Sequence, residues 1–260
     1  MKPIHKIILC CCAGIILCGQ PVSALHDEKP LTEGRTVPLL GNYEFRLRAG
    51  FNIGGSAPLD FPAQIREICS YNPTMAFSIE GNVTRNINPR WGIQTGLRFE
   101  TKGMKTDARV RNYMMRLSQG GQTIQGLFTG NVITKVKDEY LTIPLMMVYN
   151  LNKRWDLKFG GYASFLLNGS FSGIAYDGYI RDRVPTNPKM EISEAPYDFS
   201  EEIKRFDVGL ALGADYMIYK RFSVYADLMW GFNSLFPDTF TAISFKMYNI
   251  YLNMGFSYLF

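Results

Sequence analysis

From residue 248 to the last residue, every second side chain is large and apolar: Tyr248, Ile250, Leu252, Met254, Phe256, Tyr258 and Phe260. Asn249, Asn253, Gly255 and Ser257 hold the other parity, with Tyr251 and Leu259 as larger exceptions. A strand sends successive side chains to opposite faces, so this pattern predicts a strand with one uniformly oily side. The pattern repeats upstream. Phe222, Val224, Ala226, Leu228, Trp230 and Phe232 alternate with Ser223, Tyr225, Asp227, Met229, Gly231 and Asn233. Phe206, Val208, Leu210, Leu212, Ala214, Tyr216 and Ile218 alternate with Asp207, Gly209, Ala211, Gly213, Asp215 and Met217. Only Lys220 and Arg221 separate these two segments, as a tight hairpin requires.

Five more segments follow the rule going backward. Trp155, Leu157, Phe159, Gly161, Ala163, Phe165 and Leu167 oppose Asp156, Lys158, Gly160, Tyr162 and Ser164. Leu141, Ile143, Leu145, Met147, Tyr149 and Leu151 oppose Tyr140, Thr142, Pro144 and Asn150, and Trp91, Ile93, Thr95, Leu97 and Phe99 oppose Gly92, Gln94, Gly96, Arg98 and Glu100. Residues 43–53 and 75–83 complete the set. Each segment has about ten residues, the length a tilted strand needs to cross a bilayer. Pro144 removes a ladder donor, so a bulge or local break is expected there. Connections alternate strictly between short (84–90, 152–154, 220–221) and long (54–70, 103–138, 168–204, 234–246). The predicted fold is therefore all-β: a closed eight-stranded antiparallel up-and-down transmembrane β-barrel with short periplasmic turns and long extracellular loops. Trp91, Trp155 and Phe222 begin strands just after short turns, with Tyr149, Tyr216 and Tyr258 on the same side, which predicts an aromatic girdle. A soluble, lipocalin-like barrel would turn the oily face inward. Against it, the polar face is rich in Gly, Ala and Ser, and the oily face carries more bulk than eight strands can enclose.

The N-terminus reads as a targeting segment. Lys2, His5 and Lys6 precede an apolar stretch at 7–19, and Val22-Ser23-Ala24 offers a cleavage site. The expected organisation is a signal peptide at 1–24, a periplasmic N-terminal segment at 25–42 and the barrel at 43–260. The apolar stretch is too short for a membrane helix, which needs about 20 residues. A lipoprotein reading would acylate Cys18, but Leu17 stands where a small residue belongs. Cleavage removes Cys10, Cys11, Cys12 and Cys18 and leaves Cys69, so neither a disulfide nor a cysteine metal site is expected. Losing Lys2 and Lys6 lowers the net charge from +5 to +3, too weak a bias for nucleic acid. His26, in the N-terminal tail, is the one remaining histidine, so a general base of the usual kind is missing and no enzyme, cofactor or metal is expected.

Charge on the predicted lumen face is the main candidate site: Glu44, Arg46, Arg48, Glu80, Arg98, Glu100, Asp156, Lys158, Asp207, Asp215 and Asp227. An eight-stranded barrel is barely wider than its own side chains, so mutual ion pairing as a plug is the favoured reading, and an ion-conducting path the alternative. In the loop 103–138, Arg109, Arg111 and Arg116 lie near Tyr113, Met114 and Met115, suggesting a short helix that touches lipopolysaccharide phosphates. Glu191, Glu194, Asp198, Glu201 and Glu202 could hold calcium, though without a recognisable loop spacing. Met254, Phe256, Tyr258 and Phe260 are expected to form the signal read by the barrel-assembly machinery.

The stretch Tyr140-Leu-Thr-Ile-Pro-Leu-Met-Met-Val-Tyr149 resembles the tyrosine–aliphatic–Ile-Pro strand of the PorT-like outer-membrane β-barrel family of Bacteroidetes. Phe159-Gly-Gly-Tyr162, Phe206-Asp-Val-Gly209 and Asn-Met-Gly-Phe at 253–256, with Asn249 before it, resemble that family at matching spacing. The resemblance covers 91–260 and implies an eight-stranded outer-membrane barrel. It also implies, as an alternative role, an accessory part in protein secretion of the type IX kind. The leading expectation is a non-enzymatic barrel acting structurally or by binding through its outer loops, with a narrow pore as a further alternative. Expected partners are outer-membrane lipid and lipopolysaccharide, the barrel-assembly machinery and secretion-system proteins, not nucleic acid.

Overall fold

The computed structural model describes residues 43–59, 62–74, 76–119, 122–182, 186–243 and 245–260. The anticipated signal peptide, the segment 25–42 and Met75 lie outside the described residues. Ten strands are present: β1 (Tyr43–Ala57), β2 (Ile65–Pro73), β3 (Ala76–Asn86), β4 (Trp91–Gln119), β5 (Gln122–Asn150), β6 (Trp155–Arg181), β7 (Met190–Asp198), β8 (Phe206–Tyr219), β9 (Phe222–Gly231) and β10 (Tyr248–Leu259). Eight of them close an antiparallel ring in the order β1-β3-β4-β5-β6-β8-β9-β10. The ring seals between β1 and β10, from Arg46↔Leu259 to Ala57↔Tyr248. This is the closed up-and-down barrel that the alternation predicts.

The parity explains which way each strand faces. Glu44, Arg46, Arg48 and Asn52 of β1 are buried, while Phe45, Leu47, Phe51 and Ile53, on the other parity, are exposed. Leu145 and Leu212 are 61% and 57% exposed, and every ring strand contributes to the same outward band. An apolar band running around the whole ring is stable only against lipid. At one end lie the short turns. Asn88 Oδ1 accepts from the amides of Arg90 and Trp91, and Asn152 Oδ1 accepts from those of Arg154 and Trp155, so two turns use the same side-chain device. At this end Trp91 packs on Tyr149, Trp155 on Tyr216 and Phe222 on Tyr258, with centroids 4.7, 4.8 and 5.0 Å apart. Pro144 is accommodated without a register shift: it stays opposite Tyr162, the β4 ladder skips its level, and the Thr95 hydroxyl donates to its carbonyl at 2.9 Å.

At the other end the structure corrects the loop assignments. Residues 103–138 and most of 168–204 are not loops, and no helix carries Arg109, Arg111 and Arg116. Instead β4, β5 and β6 run straight on past the band, β4 and β5 staying paired to Gln119↔Gln122. The part of β4 beyond Thr101 is about 60 Å long at roughly 3.3 Å per residue. β2 continues β3 upward along β4, from Met104 to Val110, and β7 continues β8 upward along β6. The raised sheet thus has the order β2-β4-β5-β6-β7. Its inner face carries an apolar core that includes Val110, Phe128, Val136, Phe171, Ile180 and Ile192. Leu235, Phe236, Phe240, Ala242, Ile243 and Met247 join that core: Phe236 stacks on Phe240 at 4.7 Å and meets Phe171 at 5.0 Å.

Candidate functional site

Inward positions of the barrel carry a continuous network of charge. Arg46 reaches Asp156 at 2.9 Å, Asp215 at 3.0 Å and Glu44 at 3.2 Å. One level further, Arg48 reaches Asp227 at 2.7 Å, Asp215 at 2.9 Å and Glu80 at 3.5 Å, with its guanidinium 3.6 Å from the Tyr225 ring centre. Lys158 bridges Asp215 and Asp227, both at 3.0 Å. Arg98 pairs with Glu80, with Asp227 at 3.1 Å and with Glu100 at 3.8 Å. Ten of the eleven residues placed in the lumen from sequence thus join one network. Asp207 stands apart, accepting from the Tyr162 hydroxyl at 3.2 Å and Asn249 Nδ2 at 3.3 Å. The void among Arg48, Glu80, Arg98, Lys158 and Asp227 measures about 10 Å³, room for about one water.

Two further charges join this layer: Lys102, just before the stretch 103–138 that the sequence assigns to a loop, and Asp138 at the end of that stretch. Lys102 is 1% exposed, pairs with Glu100 at 3.3 Å and lies between the rings of Tyr140, Tyr251 and Tyr162, at 4.8, 5.5 and 5.6 Å. Asp138 is fully buried opposite it in the β4–β5 register. The signal for Lys102 was its parity, since Arg98, Glu100 and Lys102 lie at steps of two.

β5 crosses the apolar band from Leu141 to Tyr149, so Asp138 sits beyond it on the raised side. Burial pushes the Asp138 carboxyl from the ordinary aspartate range up to about 7, against the opposing pull of the Ser170 amide and Lys102. The folded protein therefore holds this proton more tightly than the unfolded chain, and stability falls as pH rises from about 4 to 7. Asp138→Asn removes the titration. The variant should match the wild type near pH 4 and exceed it by a few kcal/mol, as an order of magnitude, at pH 8. Urea unfolding in lipid vesicles at both pH values checks this; an equal shift at each would refute it.

On the raised sheet two irregularities coincide. β4 shifts register between Val110 and Tyr113, and β5 shifts against β6 between Thr129 and Asn131. Asn112 and Asp177 take positive φ there, 51° and 46°. Bulges and left-handed residues at one level crease a sheet. An open cavity of about 540 Å³ lies at this crease, lined by Arg66, Arg109, Arg111, Asp177, Tyr179 and Glu191 among others. Arg116 does not line it. The acidic residues at 191–202 lie on β7 and the short 3-10 turn after it, and no group of three possible metal ligands occurs among the described residues. Met254, Phe256 and Tyr258 share the outward parity of β10, and Phe260, just past its end, continues that parity, with Phe256 and Phe260 exposed toward the turn end.

The family model described as outer membrane protein beta-barrel domain matches residues 31–237. No curated protein matches the sequence. Among solved structures the chain is similar to Ail, the attachment invasion locus protein of Yersinia pestis, at 11% identity and a TM-score of 0.34, covering 84% of this chain and 97% of that one. Neisserial surface protein A gives 10% identity and a TM-score of 0.28, with 85% and 98% covered. The outer membrane protein OprG of Pseudomonas aeruginosa gives 13% and 0.27, with 84% and 95% covered.

Proposed function

This chain belongs to the outer membrane protein beta-barrel domain family, and on that premise we propose that it is a non-enzymatic surface platform: a plugged barrel that holds a rigid β-sheet outside the cell for binding. The outer membrane is its location, and the long hairpins point outward as is usual for such barrels. One observation carries the reading. β4, β5 and β6 continue past the lipid band and, with β2 and β7, form a five-stranded sheet with its own apolar core, while the barrel beneath is filled by ion pairs. Loops tethered to a barrel would need no such core, whereas a surface presented in one geometry does. The crease cavity is where a ligand would sit, since bulges re-aim side chains next to working sites.

The filled lumen weighs against the pore. Purified protein in planar bilayers should show no unitary conductance, and reproducible single-channel steps would overturn the plug. A crosslinking pull-down from intact cells tests the platform: replacing residues 104–136 by a tight turn should abolish partner capture while the barrel still folds. The finer kinship with PorT-like proteins rests on the Tyr140–Tyr149 motif together with those at 159–162, 206–209 and 253–256, and with it goes the alternative of a secretion accessory. Unchanged export in a deletion strain would end that alternative. The signal peptide, recognition by the assembly machinery through Phe260 and its outward neighbours, and the lack of catalysis belong to the same proposal.

A further inference from the structure

Above the lipid band, the outer face of the β4–β5 hairpin carries three lysines that the plug and the platform both leave unused. Lys105 and Lys135 stand directly opposite each other in the antiparallel register, and Lys137 lies two positions closer to the membrane. All three are exposed, on the parity that presents Leu141 and Ile143 to lipid further down β5. None makes an ion pair with a described residue, and of the nearby acids Asp107 is held by the Tyr176 hydroxyl at 2.9 Å. Glu139, the next outward residue on β5, shares that face, and Asp198, opposite Ser172 in the β6–β7 register, accepts from the amide and hydroxyl of Ser200. Like charges placed directly across two strands destabilise the sheet. A pair of lysines there calls for an anion that the chain itself does not supply.

Height above the membrane identifies that anion. Lys137 is four residues past Leu141 and Lys135 six, which at roughly 3.3 Å per residue and a tilt of about 40° places them about 10 to 15 Å above the band. The headgroup layer of a leaflet is about 5 to 8 Å deep, and a lysine stem can reach back into it. Arg109 and Arg111 stand several residues further out on β4, beyond that reach, so the arginines singled out from sequence are too high for lipid phosphates. Ser170 faces Lys137 and Ser172 faces Lys135 across β6, adding hydroxyl donors beside the ammonium groups. We propose that Lys105, Lys135 and Lys137, with Ser170 and Ser172, form a docking face for a phosphate group of the lipopolysaccharide surrounding the barrel. This face is independent of the crease cavity and of the platform reading, and either can fail without the other.

Binding is measured by thermophoresis on the full protein in detergent, with purified lipopolysaccharide, the same lipid stripped of phosphate, and inorganic phosphate as probes. The triple variant Lys105→Ala, Lys135→Ala, Lys137→Ala should bind intact lipid between about tenfold and a hundredfold more weakly at low salt. The corresponding triple arginine variant should bind like the wild type, and Arg85→Ala with Lys220→Ala at the turn end should change nothing. Stripped lipid should bind the wild type as weakly as intact lipid binds the triple alanine variant. Equal binding of intact and stripped lipid, an undiminished triple alanine variant, or inorganic phosphate bound as tightly as the lipid would each overturn the proposal. A second reading needs only one substitution. Lys105→Ala should raise the urea midpoint in lipid-free detergent, where repulsion is relieved, and lower it in lipopolysaccharide bilayers. The same sign in both media would also overturn it.

Discussion

Arg48→Ala is expected to destabilise the barrel by about 3 to 5 kcal/mol, the usual consequence of removing one partner from a buried ionic cluster. Arg48 is 1% exposed and serves Asp227, Asp215 and Glu80 at once, so its loss leaves three buried carboxylates short of compensation. Lys158 and Arg98 remain to serve Asp227, but the Lys158 ammonium lies 5.9 Å from the Tyr225 ring centre, where the Arg48 guanidinium packs at 3.6 Å. Arg48→Lys keeps the charge and loses the planar fork, and should fall between the wild type and alanine. The comparison that gives the number meaning is Arg109→Ala. Arg109 also pairs with a carboxylate, Glu67 at 3.6 Å, but both side chains are about 60% exposed, and the expected effect is within about 0.5 kcal/mol. Urea titration in lipid vesicles, followed by tryptophan fluorescence, reads all three variants. An Arg48→Ala effect as small as that of Arg109→Ala would mean that water screens the lumen, and the pore would return as the better reading.

Two physical facts separate what the sequence shows from what it hides. Within the band, lipid outside and side chains inside enforce one sense of alternation, so Leu141, Ile143, Leu145 and Met147 declare their face and Glu44, Arg46 and Arg48 declare theirs. Beyond Leu141 the solvent on the outer face changes from lipid to water, and the sense inverts. Glu139, Lys137 and Lys135 now point out, while Val136, Val132 and Phe128 point in. Period two persists there, but a reading tuned to oily-outward strands takes it for loop. The bulges at 110–113 on β4 and 176–179 on β6 then shift parity on those strands and blur the signal further. For the charged site, the inward parity of each residue was readable, but partners were not. Arg48 meets Asp227 across 179 positions of chain, a match fixed by ring closure and register rather than by anything local. Lys102 and Asp138 escaped because they sit at the level where the sense of alternation inverts.

Leu145→Arg tests the orientation on which the rest depends. Leu145 is 61% exposed near the middle of the outward run from Leu141 to Tyr149, flanked in register by Thr95 and Gly161. If the neighbour is hydrocarbon, an arginine there should cost about 2 to 4 kcal/mol in lipid vesicles, because the bilayer midplane offers the guanidinium no water and its stem cannot reach either surface fully. Leu167→Arg, on the same face of β6 at the upper edge of the band, should cost about 0 to 1 kcal/mol, since its head can emerge among the headgroups. The depth dependence is the discriminating quantity. In a soluble barrel both leucines would face water, and both substitutions would fall within about 0.5 kcal/mol of the wild type. Unfolding free energies of the two variants in vesicles decide it: a mid-band cost no greater than the edge cost would mean that the exposed face of these strands does not meet lipid.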